Sequence, residues 1–163
     1  MGVPSGTGEP SSSWKRRMLL AEHSPIRKLH ISWKWIDIIS WVSVHFTRHK
    51  FGIEHFVQTQ RTDRTGQKRG SQNDLIQHEC EANAQAIINI SRKRLCNKAS
   101  AETRQAWIDM LDELYAEQPE LVSVCVPDCV YRGHCYEYDS CGYHLTKNFK
   151  TELEEYRSGI NGN

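Results

Sequence analysis

The sequence predicts an α/β (α+β) domain, on three observations. Leu29, Ile31, Trp33 and Trp35 alternate with His30, Ser32 and Lys34, the period of a half-buried strand. Trp107, Met110, Leu111 and Leu114 recur at helical spacing, as do Phe149, Leu153 and Tyr156. A chain of 163 residues, 38% hydrophobic, suits one domain with a core of its own, or one subunit of an obligate oligomer.

The elements follow in order. Residues 1–13 are rich in Gly, Pro and Ser without an apolar run, which predicts a flexible arm that is neither signal peptide nor transit helix. Residues 14–163 form the single domain. Trp14 to Glu22 reads as a short helix ending before His23-Ser24-Pro25, because Pro25 disfavours helix at Ser24. After the strand through Trp35, Asp37 is placed to cap a helix whose apolar face is Ile38, Trp41, Val42 and His45. Gly52 permits a turn, and His55 to Thr62 reads as extended. Asp63 to Asn73 is a polar, Gly-punctuated loop. A helix is expected from Asp74 to about Leu95, burying Leu75, Cys80, Ala84, Ile87, Ile88 and Leu95. Ser100 caps the next helix, Pro119 opens a short turn of helix, and a cysteine-rich loop leads to a closing helix over Thr146 to Arg157.

Composition excludes several classes. The net charge of +1 offers no global field for nucleic acid. The apolar stretches are short and interrupted by Asp37, Ser40 and Ser43, so no membrane span is expected. Without an export signal, a cytoplasmic protein is expected, with its cysteines as reduced thiols or metal ligands. In the tail, Cys125, Cys129, Cys135 and Cys141 with His134 and His144 could supply a zinc site. The spacing lacks a Cys-x2-Cys knuckle, so free thiols are expected and no ligand is assigned. Cys80 and Cys96 read as buried small residues.

The densest functional inventory lies between His45 and Arg61, with three imidazoles, the cations Arg48, Lys50 and Arg61, and Gln58-Thr59-Gln60. Guanidinium forks and ammonium groups hold phosphates, and glutamine amides match the edge of a base. A solvated cationic turn has the same composition. His49 stands between two cations, which disfavours its proton and suits it to stacking or hydrogen bonding. A surface histidine at a helix end is the alternative, and the residues leave both open. Asn83 and Arg94 share one helical face, with Asn89 off it. Arg94 could equally pair with Glu102.

Three ordered blocks resemble the flavin-dependent thymidylate synthases. Glu22-His23-Ser24-Pro25 is similar to that family's Gly-His-x-Ser/Thr-Pro element. Arg48-His49-Lys50 with Gln58-Thr59-Gln60-Arg61 resembles its Arg-His-Arg signature and the following Asn-Glu-x-Ser-x-Arg-Tyr. Asn83-Ala84-Gln85, Asn89, Arg94 and Glu102 resemble its Asn-x-Arg, Asn or His, Leu-Arg and Gln-x-Glu-Ile-Arg run. The resemblance covers roughly residues 14 to 122. Departures are Lys50 and Gln85 for arginines, Val57 for glutamate, Thr59 for serine and Thr62 for tyrosine. With no counterpart to the family's leading segment, the chain resembles a short, divergent, phage-like member.

The resemblance implies an antiparallel sheet with packed helices and a homotetramer whose FAD lies between subunits. It implies conversion of dUMP to dTMP, with the methylene from methylenetetrahydrofolate and reducing power from NADPH. By carry-over, His23, Arg48, His49, Lys50 and Asn89 would bind FAD. His45, Gln58, Thr59, Arg61, Gln85 and Arg94 would line the dUMP site. Arg94 would polarise the uracil carbonyl, and Thr59 or Arg61 would hold the phosphate, which makes Arg94 and Thr59 the expected catalytic pair. Neither nucleic acid nor membrane is an expected partner. Two other readings remain at this stage: a catalytically silent flavin- or nucleotide-binding homologue, and a small zinc-stabilised interaction module.

Overall fold

Burial alternates strictly from Leu75 to Ala82, with Ile76, His78, Cys80 and Ala82 inward and Leu75, Gln77, Glu79 and Glu81 outward. That period belongs to a strand, and the segment expected to begin a long helix is the central strand of the sheet. The computed structural model describes residues 8–66 and 70–158. Strand β1 (His30–Ile39), β2 (Ile53–Val57) and β3 (Leu75–Asn83) form an antiparallel sheet in the order β1-β3-β2. A helix here would have carried the polar set of Gln77, Glu79 and Glu81 around into the core. Pairing on both edges instead satisfies every second side chain inside and the rest in solvent. Asn83 ends the strand and caps α4 (Ala84–Arg94), its side chain accepting from Ala86 N at 2.9 Å. The helix expected from Asp74 is therefore half its predicted length.

The second correction is at Asp37, which caps nothing. Trp35 pairs with His78 and Ile38 with Ile76, so Ile36 and Asp37 together oppose Gln77 in a β-bulge. Asp37 takes the left-handed conformation there, φ 60°, which its short polar side chain tolerates. The chain stays in β1 to Ile39, and α2 (Ser40–Phe46) starts three residues after Asp37.

Other boundaries move less. Helix α1 (Ser12–Leu20) begins inside the expected arm, capped by Ser11, and residues 1–7 lie outside the described residues. Glu22 leaves it with φ 47°. A turn of 3-10 helix spans Ser24–Lys28. Strand β2 ends at Val57 within the expected extended run, Arg61 is still extended, and α3 (Thr62–Thr65) occupies the start of the expected loop. Helices α5 (Ala101–Tyr115), α6 (Pro119–Val122), α7 (Asp128–Arg132) and α8 (Lys147–Ser158) complete the order, α5 and α8 near their predicted bounds.

The core lies between the inner face of the sheet and α2, α4 and α5. Trp107 on α5 is fully buried, its indole N–H donating to Ser91 Oγ at 2.9 Å. Trp33 meets it edge-on at 5.9 Å, and Trp35 stacks on Phe46 at 4.4 Å while donating to the Ala106 carbonyl at 3.0 Å. Trp33 and Trp35 are thus packed against the core within one chain. Among the described residues no helix is long and apolar enough to cross a membrane.

Candidate functional site

Helix α2 and the last turn of α4 end side by side and bring two of the sequence blocks into contact. Arg94 Nε donates to His49 Nε2 at 2.9 Å, and one Arg94 Nη donates to the His45 carbonyl at 2.6 Å. That contact sets the imidazole's state. Accepting at Nε2 requires a bare nitrogen there, so neutral His49 carries its proton on Nδ1. Burial, then the Arg94 charge, then His55 push the His49 pKa down to about 4. The neutral ring expected from sequence is favoured here by burial and by Arg94, not by the flanking Arg48 and Lys50. His45 is lowered as well, by burial and then by Arg94 and Arg48, and its Nδ1 meets Thr103 Oγ1 at 2.9 Å. Arg94 is itself half-buried, and its pKa is lowered by burial and by Arg48. Glu102 is not among its partners, so the alternative pairing does not form. Arg48 and Lys50 are exposed beside this turn, with no hydrogen bond or ion pair among the described residues.

Behind His49 lies a buried polar chain that sequence reading missed. His49 accepts through its carbonyl from His55 Nε2 at 2.9 Å. His55 Nδ1 meets His78 Nε2 at 3.0 Å, and His78 Nδ1 meets Ser43 Oγ at 2.9 Å. Cys80 Sγ lies 3.3 Å from both facing imidazole nitrogens. Because a carbonyl only accepts, His55 holds its proton on Nε2, and its bare Nδ1 accepts from His78 or the Cys80 thiol. All groups are satisfied in neutral form. Burial agrees with this: it lowers His78 to about 4, His55 adding to the effect, and raises the Cys80 thiol to about 12, Glu79 adding.

These three ligand atoms lie within 4.8 Å of one another and could hold a metal. The outward nitrogens already have the carbonyl and hydroxyl partners that orient metal-binding imidazoles. Ligation would require the buried thiol to ionise. The signal for this group was its shared parity: His78 and Cys80 face inward only if β3 is read with period two.

The remaining predicted residues fall in two other places. Gln85 Nε2 donates to Glu22 Oε2 at 2.6 Å, and Asn89 Oδ1 accepts from Arg92 at 3.0 Å. Arg92 also pairs with Glu22 and lies 3.5 Å from the centre of the Tyr131 ring. His23 follows Glu22, exposed at the start of the 3-10 turn. Glu22 and Arg92 thus anchor this cluster, through the unusual positive φ at Glu22. Gln58, Thr59 and Arg61 lie after β2. Gln58 Oε1 accepts from Gln77 N at 2.9 Å, Thr59 Oγ1 accepts from Arg61 N at 3.2 Å, and Arg61 forks onto Asp63 at 2.7 and 3.0 Å.

No family model, curated protein or solved structure matches this chain.

Within one chain, then, His45, His49 and Arg94 meet, with Arg48 and Lys50 alongside. Gln85 and Asn89 meet each other, and Gln58, Thr59 and Arg61 form a third group. Arg94 and Thr59, the expected catalytic pair, belong to different groups and share no hydrogen bond among the described residues.

Proposed function

We propose that this chain is a subunit of a flavin-dependent thymidylate synthase, binding FAD and converting dUMP to dTMP with methylenetetrahydrofolate and NADPH. The observation that carries the reading is the hydrogen bond between His49 and Arg94, 45 residues apart. It joins the Arg48-His49-Lys50 block to the end of the Asn83–Arg94 block, two segments matched to the family independently.

The chemistry of the turn agrees. Arg48 and Lys50 are exposed cations with free donors for a diphosphate. Arg94 is held by Nε and one Nη, and its other Nη is left to stabilise charge on a carbonyl oxygen. The flavin supplies the hydride chemistry when bound, and the protein groups orient it and its substrate. The three separate groups of candidate residues support a site shared between subunits, which a homotetramer would reunite.

A silent flavin- or nucleotide-binding homologue is the second reading, favoured by one observation. Arg61 is already forked onto Asp63 and Gln85 onto Glu22, so two proposed substrate contacts are engaged within the chain.

The test is flavin stoichiometry in the purified protein and in Arg48→Ala/Lys50→Ala. Both residues are exposed, so the fold should persist while flavin is lost. Unchanged flavin content in the variant, or a colourless wild type that takes up no FAD, overturns the assignment.

A further inference from the structure

Four of the six cysteines converge on one cavity. Cys96 follows the end of α4, Cys129 sits in the first turn of α7, and Cys135 and Cys141 lie on the loop after it. All four line a cavity of about 280 Å³, with His144 on its wall. Two segments far apart in sequence have therefore delivered thiols to one place. The remaining cysteines are elsewhere: Cys125 is buried with its thiol donating to the Leu121 carbonyl at 3.3 Å, and Cys80 belongs to the histidine cluster. Of the four tail cysteines that the sequence offered as a possible zinc set, with none assigned, Cys125 does not line this cavity. Cys96, read as a packing residue, takes the place of Cys125.

Packing alone is a poor account of this arrangement. Cys141 is exposed, Cys129 packs partly against the core, and Cys96 and Cys135 are half-buried beside the open space that all four line. None of the four is in a disulfide. The loop that carries two of them lacks regular structure for most of its length and is pinned to α4 from outside. Lys93 reaches Glu137 at 3.5 Å and Asp128 at 3.7 Å, and Lys98 pairs with Asp139. Surface ion pairs of this kind hold little energy. A metal tying four chain positions would stabilise the region far more, since the free energy of ligation adds to that of folding.

We infer that Cys96, Cys129, Cys135 and Cys141 form a four-thiolate metal site, of the class that takes zinc or an iron–sulfur cluster. Four sulfur ligands select these soft-ligand centres over calcium, magnesium or copper(II). The ring is wide. Four sulfurs at 2.3 Å around one zinc stand about 3.8 Å apart. Among the described residues, no three of these thiols lie within 4.8 Å of one another. A single zinc therefore requires the loop thiols to close inward, whereas a polynuclear cluster fills more of the space. Such a centre would be structural and distinct from the Arg94 site.

The test is elemental. The full chain is purified without oxygen or chelator, and zinc, iron and acid-labile sulfide are measured per chain. The wild type should carry either about one zinc or iron with matching sulfide. Cys96→Ser and Cys141→Ser should lose most of that metal, and Cys125→Ser and Cys80→Ser should retain it. Cys141 is exposed, which keeps the test decisive if Cys96→Ser misfolds. A metal-free wild type with all four thiols titratable overturns the inference, as does metal lost only in Cys80→Ser. Flavin content is measured separately, so failure here is distinguishable from failure of the proposed activity.

Discussion

Replacing Arg94 with lysine separates the roles of its charge and its fork. The guanidinium spans two acceptors on different parts of one turn, His49 Nε2 at 2.9 Å and the His45 carbonyl at 2.6 Å. One ammonium cannot hold both positions with the same geometry. One acceptor in a half-buried setting is left unpaired, at a cost of about 1–2 kcal/mol. The expected effect on turnover is larger. Loss of one well-placed donor to a developing oxyanion costs about 3 kcal/mol, roughly a hundredfold in rate. Arg94→Lys should therefore keep bound FAD and most of its stability while losing dUMP- and folate-dependent oxidation of the reduced flavin. Denaturant unfolding and single-turnover flavin oxidation read the two effects separately. Glu102→Gln is the control, and it should be silent in both assays because Glu102 does not pair with Arg94. Wild-type turnover in Arg94→Lys would refute the role given to this guanidinium.

Other outcomes follow from the same geometry. His49 and His78 are both held near 4, below the usual 6.5, so the unfolded chain binds more protons between those values. Stability should be flat above about pH 6.5 and fall as pH drops toward 4, with His78 contributing about 2 kcal/mol after allowance for screening; urea unfolding across that range measures it. Gly52→Ala should cost about 2 kcal/mol, because φ is 73° and the added Cβ would lie 2.6 Å from the Asn83 amide nitrogen; a melting temperature equal to wild type would contradict this. Glu22→Gln removes the charge opposite Arg92, whose side chain is 14% exposed, and leaves one oxygen to serve both Arg92 and the Gln85 amide. A loss of about 2 kcal/mol is expected in chemical unfolding, less than for a fully buried pair because Glu22 keeps some solvent.

What the sequence made legible is physically specific. The helix through Trp107, Met110, Leu111 and Leu114 was readable because its stripe is long and apolar, and the same holds for Phe149 to Tyr156. Strand β3 was not, because Glu, Gln and Ala favour helix locally and its inward residues include a histidine and a cysteine instead of large aliphatics. Pairing with β1 and β2 overrides that preference, and only the parity of Ile76, His78, Cys80 and Ala82 records it. Asp37 was misread for a related reason. An aspartate before an apolar run fits a helix cap, and equally a left-handed bulge residue, and the choice depends on the partner strand.

At the site, the contact between the His49 turn and Arg94 joins two of the blocks that the resemblance had matched separately. The buried Ser43–His78–His55 chain was hidden because its members come from α2, β3 and β2. The meeting of Cys96 with the tail cysteines was hidden in the same way, since it depends on where α4 ends relative to the loop after α7.

The most direct test of the proposed activity is release of tritium from the methyl-accepting ring carbon of labelled dUMP. The flavin-loaded full chain is incubated with NADPH and methylenetetrahydrofolate, and water-borne label is counted against a reaction lacking the folate. The account predicts folate-dependent release that accompanies dTMP formation and disappears in Arg94→Lys. Protein that binds FAD but releases no label would contradict the enzyme and leave the silent homologue; protein that binds no flavin would contradict both.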